Sequence, residues 1–216
     1  MATLVLFVWP LVAMALFSRL GQAKGLIWAT LIGALFLPEN YGINLPGLPP
    51  LDKETSIILG LLLGLMVGGR AGQPGQAGSP AAPALGNQGQ FFVVTLGAML
   101  VISPFATMLA NPERLVFGPT TLPGLGVRDL ISMLTDNTLF LVPLILARRH
   151  LASPEIHVEV LRALVILGAL YSLLILFEAR MSPQLHRWIY GYFQHVWVQH
   201  IRGGAFRPIV FMAHGL

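Results

Sequence analysis

Six apolar runs decide what this chain can become. They cover roughly residues 2–18, 25–37, 55–69, 91–110, 130–147 and 158–177 of the 216. Sequence of this kind has lipid as its natural solvent, and there each unpaired backbone group costs several kcal/mol. Helices satisfy those groups within the segment. The runs therefore predict an all-α integral membrane protein of about six transmembrane helices, in contact with membrane lipids. Only 10% of the residues are charged and the mean hydropathy is +0.74, against about 25% charged in a soluble domain. The second and third runs fall short of the about 20 residues that a perpendicular span requires. They read as a tight hairpin, half-helices or spans in a thinned bilayer. The first run has no basic segment ahead of it and no small-residue cleavage pattern before Arg19, so it reads as a retained helix rather than a signal peptide.

The connections alternate in charge. Arg19 and Lys24 flank the first, Arg70 opens a Gly/Pro/Ala/Gln-rich third, and Arg148, Arg149 and His150 mark the fifth. The second holds Glu39, Asp52 and Glu54 against Lys53. The positive-inside rule makes loops one, three and five cytoplasmic, which puts the N-terminus, loops two and four, and the tail outside. The chain divides into a transmembrane domain, 1–178, and an extracytoplasmic segment, 179–216, whose end, 209–216, reads as the entry to a further helix. Gly60, Gly64, Gly68 and Gly69 make a small-residue face suited to close helix packing. Pro104 and Pro143 lie within runs and predict kinks.

Few side chains in the runs can carry chemistry. Asp136, in Thr135-Asp136-Asn137-Thr138, is the acidic residue deepest in a run. It reads either as a site or proton-relay group or as a carboxylate bonded to a neighbouring helix. Glu159 and Arg162, three apart, predict an ion pair on one helix face. Asp129 falls near an N-cap position, and Arg128 beside it stands where it could reach a ligand of the tail. The chain has no Cys, which removes thiol nucleophiles and Cys-based metal sites. His195 and His200 are badly spaced for one helix face, no H-E-x-x-H or metal-ligand spacing occurs, and no G-x-S-x-G is present. Neither a metal nor another cofactor is called for.

The tail differs from everything before it. Residues 1–179 carry nine Lys/Arg and nine Asp/Glu, so the net charge of +4 resides in Arg180, Arg187, Arg202 and Arg207. Between Arg187 and Arg202 stand Trp188, Tyr190, Tyr192, Phe193 and Trp197, and no acidic residue follows Glu178. In a membrane chain a pI near 10 points to phosphate-facing or juxtamembrane arginines rather than to nucleic acid. Guanidinium forks beside interfacial aromatics suit an anionic, lipid-borne ligand. Arg202-Gly203-Gly204 adds a turn in which backbone amides can approach an anion closely, and Arg207-Pro208 supplies a second cation.

Two stretches of this tail resemble the O-antigen ligase/polymerase superfamily of membrane glycosyltransferases. Residues 177–186 read F-E-x-R-x-S-P-Q-L-H, and Arg202, Gly204, Phe206, Pro208 and Leu216 follow the pattern R-x-G-x-F-x-P with a later Leu. The loop and run from Leu122-Pro123-Gly124-Leu125 through Pro143 to Arg148-Arg149 are also similar. The resemblance covers about 122–216. It implies a donor glycan linked to undecaprenyl pyrophosphate, metal-independent transfer to a sugar hydroxyl, and a bacterial inner membrane with a periplasmic tail. It implies that outer-loop arginines hold the pyrophosphate, with Arg202 the best match; Arg207, Arg180, Gly203, Gly204 and Arg128 complete the set of substrate-binding candidates. The family's second arginine and acceptor-side histidine lie in a later loop, for which His214 is not a substitute, so residues 1–216 alone are expected to transfer little glycan. The competing expectation is a non-catalytic transmembrane subunit of a larger membrane complex, derived from that family. A transporter would call for paired inverted repeats, and none is visible.

Overall fold

The computed structural model describes residues 1–44, 50–68, 87–197, 201–202 and 205–214. In chain order the elements are α1 (Ala2–Leu20), α2 (Gln22–Phe36), α3 (Lys53–Gly68), α4 (Asn87–Ala110), β1 (Leu115–Phe117), β2 (Thr120–Leu122), α5 (Val127–His150), α6 (Pro154–Met181), α7 (Leu185–Tyr190), β3 (Ile201–Arg202) and β4 (Ala205–Phe206). Every apolar run contains a helix, and the protein is a membrane-embedded, mostly helical one. Of the about six expected spans, four are borne out by length and hydropathy among the described residues. Four helices, α1, α4, α5 and α6, are long and apolar enough to cross a bilayer. The other two, α2 and α3, have 15 and 16 residues, or about 22–24 Å at 1.5 Å per residue, against a hydrocarbon core of about 30 Å. The helix α6 itself continues to Met181, three residues beyond the expected division at 178.

The tight core is the α1–α2–α3 layer. Gly21, at φ 79°, ends α1 and opens α2 within one residue, a left-handed backbone that glycine adopts without steric cost. Leu6, Trp9, Ala13 and Phe17 of α1 then meet Leu26 and Ala29 of α2 and Ile57 and Leu61 of α3. The expected glycine face is the α1–α3 contact. A Cβ on Gly60 would lie 2.9 Å from Ala13 and one on Gly64 2.3 Å from the Phe17 ring; Gly69 is outside the described residues. The last long helix, α6, closes on α2. Glu159 receives the Trp28 indole N–H at 3.2 Å and pairs with Arg162 at 3.1 Å, as expected, and Lys24 joins at 3.9 Å.

A separate antiparallel pair is formed by α4 and α5. The connection between them, which reads in sequence as an irregular Pro/Gly-rich loop, closes as an exposed β-hairpin pairing Leu115 with Leu122 and Phe117 with Thr120. Gly118 at φ 56° turns it. Gly124 lies so close to the Pro112 carbonyl that a Cβ there would be 1.9 Å from its oxygen. The expected role of Asp129 is present: its carboxylate accepts the Gly126 N–H at 2.8 Å and caps α5. The Asn137 amide donates to the Leu100 carbonyl at 2.7 Å, tying the two helices at mid-length.

Candidate functional site

The length mismatch among the helices builds the site. At 28 residues, α6 extends about 42 Å, well beyond the end of α2 at Phe36. Tyr171 packs edge-on to Phe36, so the last ten residues of α6, Ser172–Met181, rise about 15 Å above that level. The tail folds back into this step. Ala2, Tyr171, Tyr190, Val210 and Phe211 form its buried centre. Val210 and Phe211 therefore lie beside the start of α1, on the face opposite Arg19, Lys24, Arg148 and Arg149.

Glu178 is the keystone. It is fully buried, and its carboxylate accepts backbone N–H groups from Leu185 at 3.0 Å, Ile209 at 3.0 Å and Val210 at 2.7 Å. The Tyr171 hydroxyl accepts the next one, from Phe211, at 3.0 Å. Three successive amides thus converge on one carboxylate and one phenol, an anion nest already filled from within. Val210 sits there at φ 53°, a conformation that a β-branched residue adopts only when its surroundings impose it. Ser182, at φ 81°, turns the chain at the end of α6.

His186 closes the other side. Its Nε2 accepts the Glu39 N–H at 3.3 Å while Nδ1 lies 3.0 Å from the Tyr192 carbonyl. That pairing requires the neutral ring with the proton on Nδ1. Burial pushes the imidazole below its ordinary value of 6.5, with nearby Lys53 acting the same way and the Tyr192 carbonyl and Glu39 acting against it. The Tyr190 hydroxyl donates to the Phe36 carbonyl, and that of Tyr192 to the Glu39 carbonyl at 2.5 Å. Burial raises the Tyr190 phenol to about 12. Gln194 donates to the Val210 and Met212 carbonyls, and Asn40 donates to the Gln194 carbonyl. Lys53 bridges Glu39 at 2.9 Å and the Phe211 carbonyl at 3.4 Å. Residues 209–214 accordingly run as a turn, buried at Ile209, Val210 and Phe211 and exposed by His214.

The expected ligand-binding residues divide. Arg128, Arg180 and Arg187 are exposed and make no hydrogen bond or ion pair among the described residues. Arg207 is half-buried, just before Pro208 and the Glu178 nest. Arg202 closes β3, where Ile201 pairs with Phe206 and Arg202 with Ala205; its side chain, Gly203 and Gly204 lie outside the described residues, as does His200. Arg187 and Trp188 project from α7, whose inner face carries His186 and Tyr190, and Trp188 packs edge-on against Phe177 at 5.8 Å. Arg180 and Arg187 thus flank an exposed aromatic ridge. A cleft of about 290 Å³ beside the cap is lined by Glu39, Asp52, Glu54 and Lys53, an acidic wall unsuited to an anion.

Glu178, His186, Gln194 and Lys53 are the residues that sequence reasoning missed. One signal pointed to Glu178. A carboxylate in the last turn of a helix opposes the helix dipole, so its presence there calls for compensating donors. No protein-family model, no curated protein and no solved structure matches this chain.

Proposed function

We propose that the chain is part of a membrane glycan ligase or polymerase acting on undecaprenyl-pyrophosphate-linked saccharides, with the tail on the periplasmic side of a bacterial inner membrane. The observation that carries this reading is the clasp between Glu178 and the amides of Ile209 and Val210. It joins the two stretches on which the glycosyltransferase resemblance rests, so that 177–186 holds the strand pair and Arg207 in register at the membrane edge. A sugar hydroxyl attacks the anomeric carbon of the donor and releases its proton to water, the bond to pyrophosphate breaks, and the departing oxygens gain negative charge. Fixed guanidinium groups stabilise that charge better than mobile water does. In this reading Arg202 and Arg207 meet the pyrophosphate, with Gly203 and Gly204 supplying close backbone approach. Arg180 and Arg187 hold the headgroup region, and the ridge of Phe177 and Trp188 seats the isoprenoid end.

Titration of the detergent-solubilised protein with a short-chain prenyl pyrophosphate at two salt concentrations tests it. Arg202→Ala is expected to weaken binding by about 1.5–3 kcal/mol, and Arg187→Ala by about 1 kcal/mol or less. Arg202→Lys should recover part of the loss, since the ammonium lacks the planar fork. Equal effects that vanish at high salt would leave a diffuse basic surface. They would favour the second reading, a non-catalytic transmembrane subunit, whose own support is the largely uncovered α4–α5 pair.

A further inference from the structure

The polar face of α5 is half covered and half open. Pro143 and Ala147 face α2, α3 and α6 across an apolar cleft of about 180 Å³ that also includes Leu26, Leu61 and Val160. At 3.6 residues per turn, Phe140, Asp136, Ser132 and Asp129 continue this same face toward the tail side. All four are exposed, Phe140 at 71%. The helix therefore leans on the bundle through its C-terminal third and stands clear of it beyond the proline. Asn137 turns to α4, and the Thr135 and Thr138 hydroxyls bond back to the carbonyls of Ile131 and Leu134. Asp136 alone of this polar group makes no hydrogen bond or ion pair among the described residues.

An uncompensated carboxylate deep in a span is costly unless something of opposite charge meets it. We infer that the open upper face of α5 receives a further transmembrane helix, not among the described elements, that carries a lysine or arginine at the depth of Asp136. Charge complementarity selects this occupant over a second copy of the chain. Asp136 lies about 21 Å along α5 from His150, whereas Arg162, the deepest basic residue of α6, lies about 12 Å along it from Pro154. A turn joins those two helix ends, so in a copy related by an axis normal to the membrane the two charges miss one another in depth. Arg162 is also already paired with Glu159. The inference stands under either reading of the function.

The test uses the full chain in its native membrane, with a photo-crosslinking amino acid at Ser132 and, separately, at Thr138 on the opposite face as control. The Ser132 probe should capture a peptide from a transmembrane helix with Lys or Arg within one turn of the adduct. Asp136→Lys should cut that yield at least about tenfold, without changing the Thr138 pattern. Replacing the partner's basic residue by Asp in the Asp136→Lys background should restore it. Adducts with lipid only, with a second copy of this chain, or with a helix lacking a basic residue at that depth would overturn the inference, as would an unchanged yield in Asp136→Lys.

Discussion

The cap over α2 and the α4–α5 pair are built on opposite plans. In the cap, polar groups are brought inside and matched: Glu178 to three amides, His186 to an amide and a carbonyl, and Tyr190 and Tyr192 to carbonyls. In the pair, apolar side chains point outward, and the most hydrophobic windows of α4 and α5 are each only 6% buried. The difference teaches where specificity resides. A buried hydrogen-bonded network fixes a single arrangement, because leaving any member unpaired is expensive. A lipid-facing pair held by one amide and a few side-chain contacts fixes little, and can accept a neighbour.

Removing the keystone breaks the comparison most severely. Glu178→Ala would leave the buried donors of Ile209 and Val210 and the part-buried donor of Leu185 without acceptors, at about 1–3 kcal/mol for each buried one. The loss should be at least about 3 kcal/mol in thermal unfolding in detergent. Glu178→Gln should recover little, since its amide N–H₂ would face one or two of those N–H groups. The matching change on the other plan, Asp129→Ala, removes an exposed cap worth about 0.5–2 kcal/mol. If the two variants unfold alike, the cap is not a cooperative unit with the bundle.

Glycine substitutions sharpen the same contrast with one atom. In the tight layer, Gly64→Ala drives a methyl group into the Phe17 ring and should cost about 1–3 kcal/mol. In α4, a methyl group added at Gly97 would meet nothing within 4 Å, so Gly97→Ala should stabilise the helix by up to about 1 kcal/mol. Opposite shifts in melting temperature are the expected result. A loss at Gly97 would mean that a close neighbour covers α4 in the membrane.

The bundle was legible because hydropathy reports burial in lipid. The glycine spacing marked the packing face of α3, though not α1 as its partner, and the i, i+3 spacing named the Glu159–Arg162 pair. Span length was less so: runs two and three look like helices whether or not they cross, and only the step beside α6 reveals how the short α2 is completed. In the tail, arginines drew attention because charge is conspicuous in sequence, yet those with described side chains stand at the surface or only half-buried. The groups that organise the tail are one carboxylate, one imidazole and one amide, whose partners are backbone atoms from 6 to 147 residues away. Backbone partners carry no sequence signature. Asp136 was conspicuous, but whether a neighbour satisfied it depended on how far α5 diverges beyond Pro143.

Acid should loosen the cap and spare the pair. The His186 value is lowered by burial, so the unfolded segment binds a proton more readily than the native one. The stability contributed by the neutral ring is complete above 6.5 and declines as pH falls below it. Protonation would also abolish acceptance of the Glu39 N–H at Nε2. Amide exchange at Glu39 should accelerate below that pH after correction for intrinsic rates, while exchange within α5 does not change. His186→Phe should flatten the profile.

The smallest expected effect comes from the amide that joins the open pair. Asn137 donates to the Leu100 carbonyl, whose helical donor would be the N–H that Pro104 lacks, and interhelical side-chain bonds in membranes average only about 0.6 kcal/mol. Asn137→Leu should therefore change the melting temperature little. Its consequence should appear in geometry instead, because no other described side-chain hydrogen bond links α4 to α5. Spin labels at Met99 and Ile145, both exposed, should give a broader distance distribution in the variant than in the parent chain, whereas labels at Met181 and Trp188 across the cap should keep theirs. If the α4–α5 distribution stays narrow in native membranes but broadens in detergent, the restraint comes from a neighbour in the bilayer, and the openness of this half is completed by assembly rather than by its own sequence.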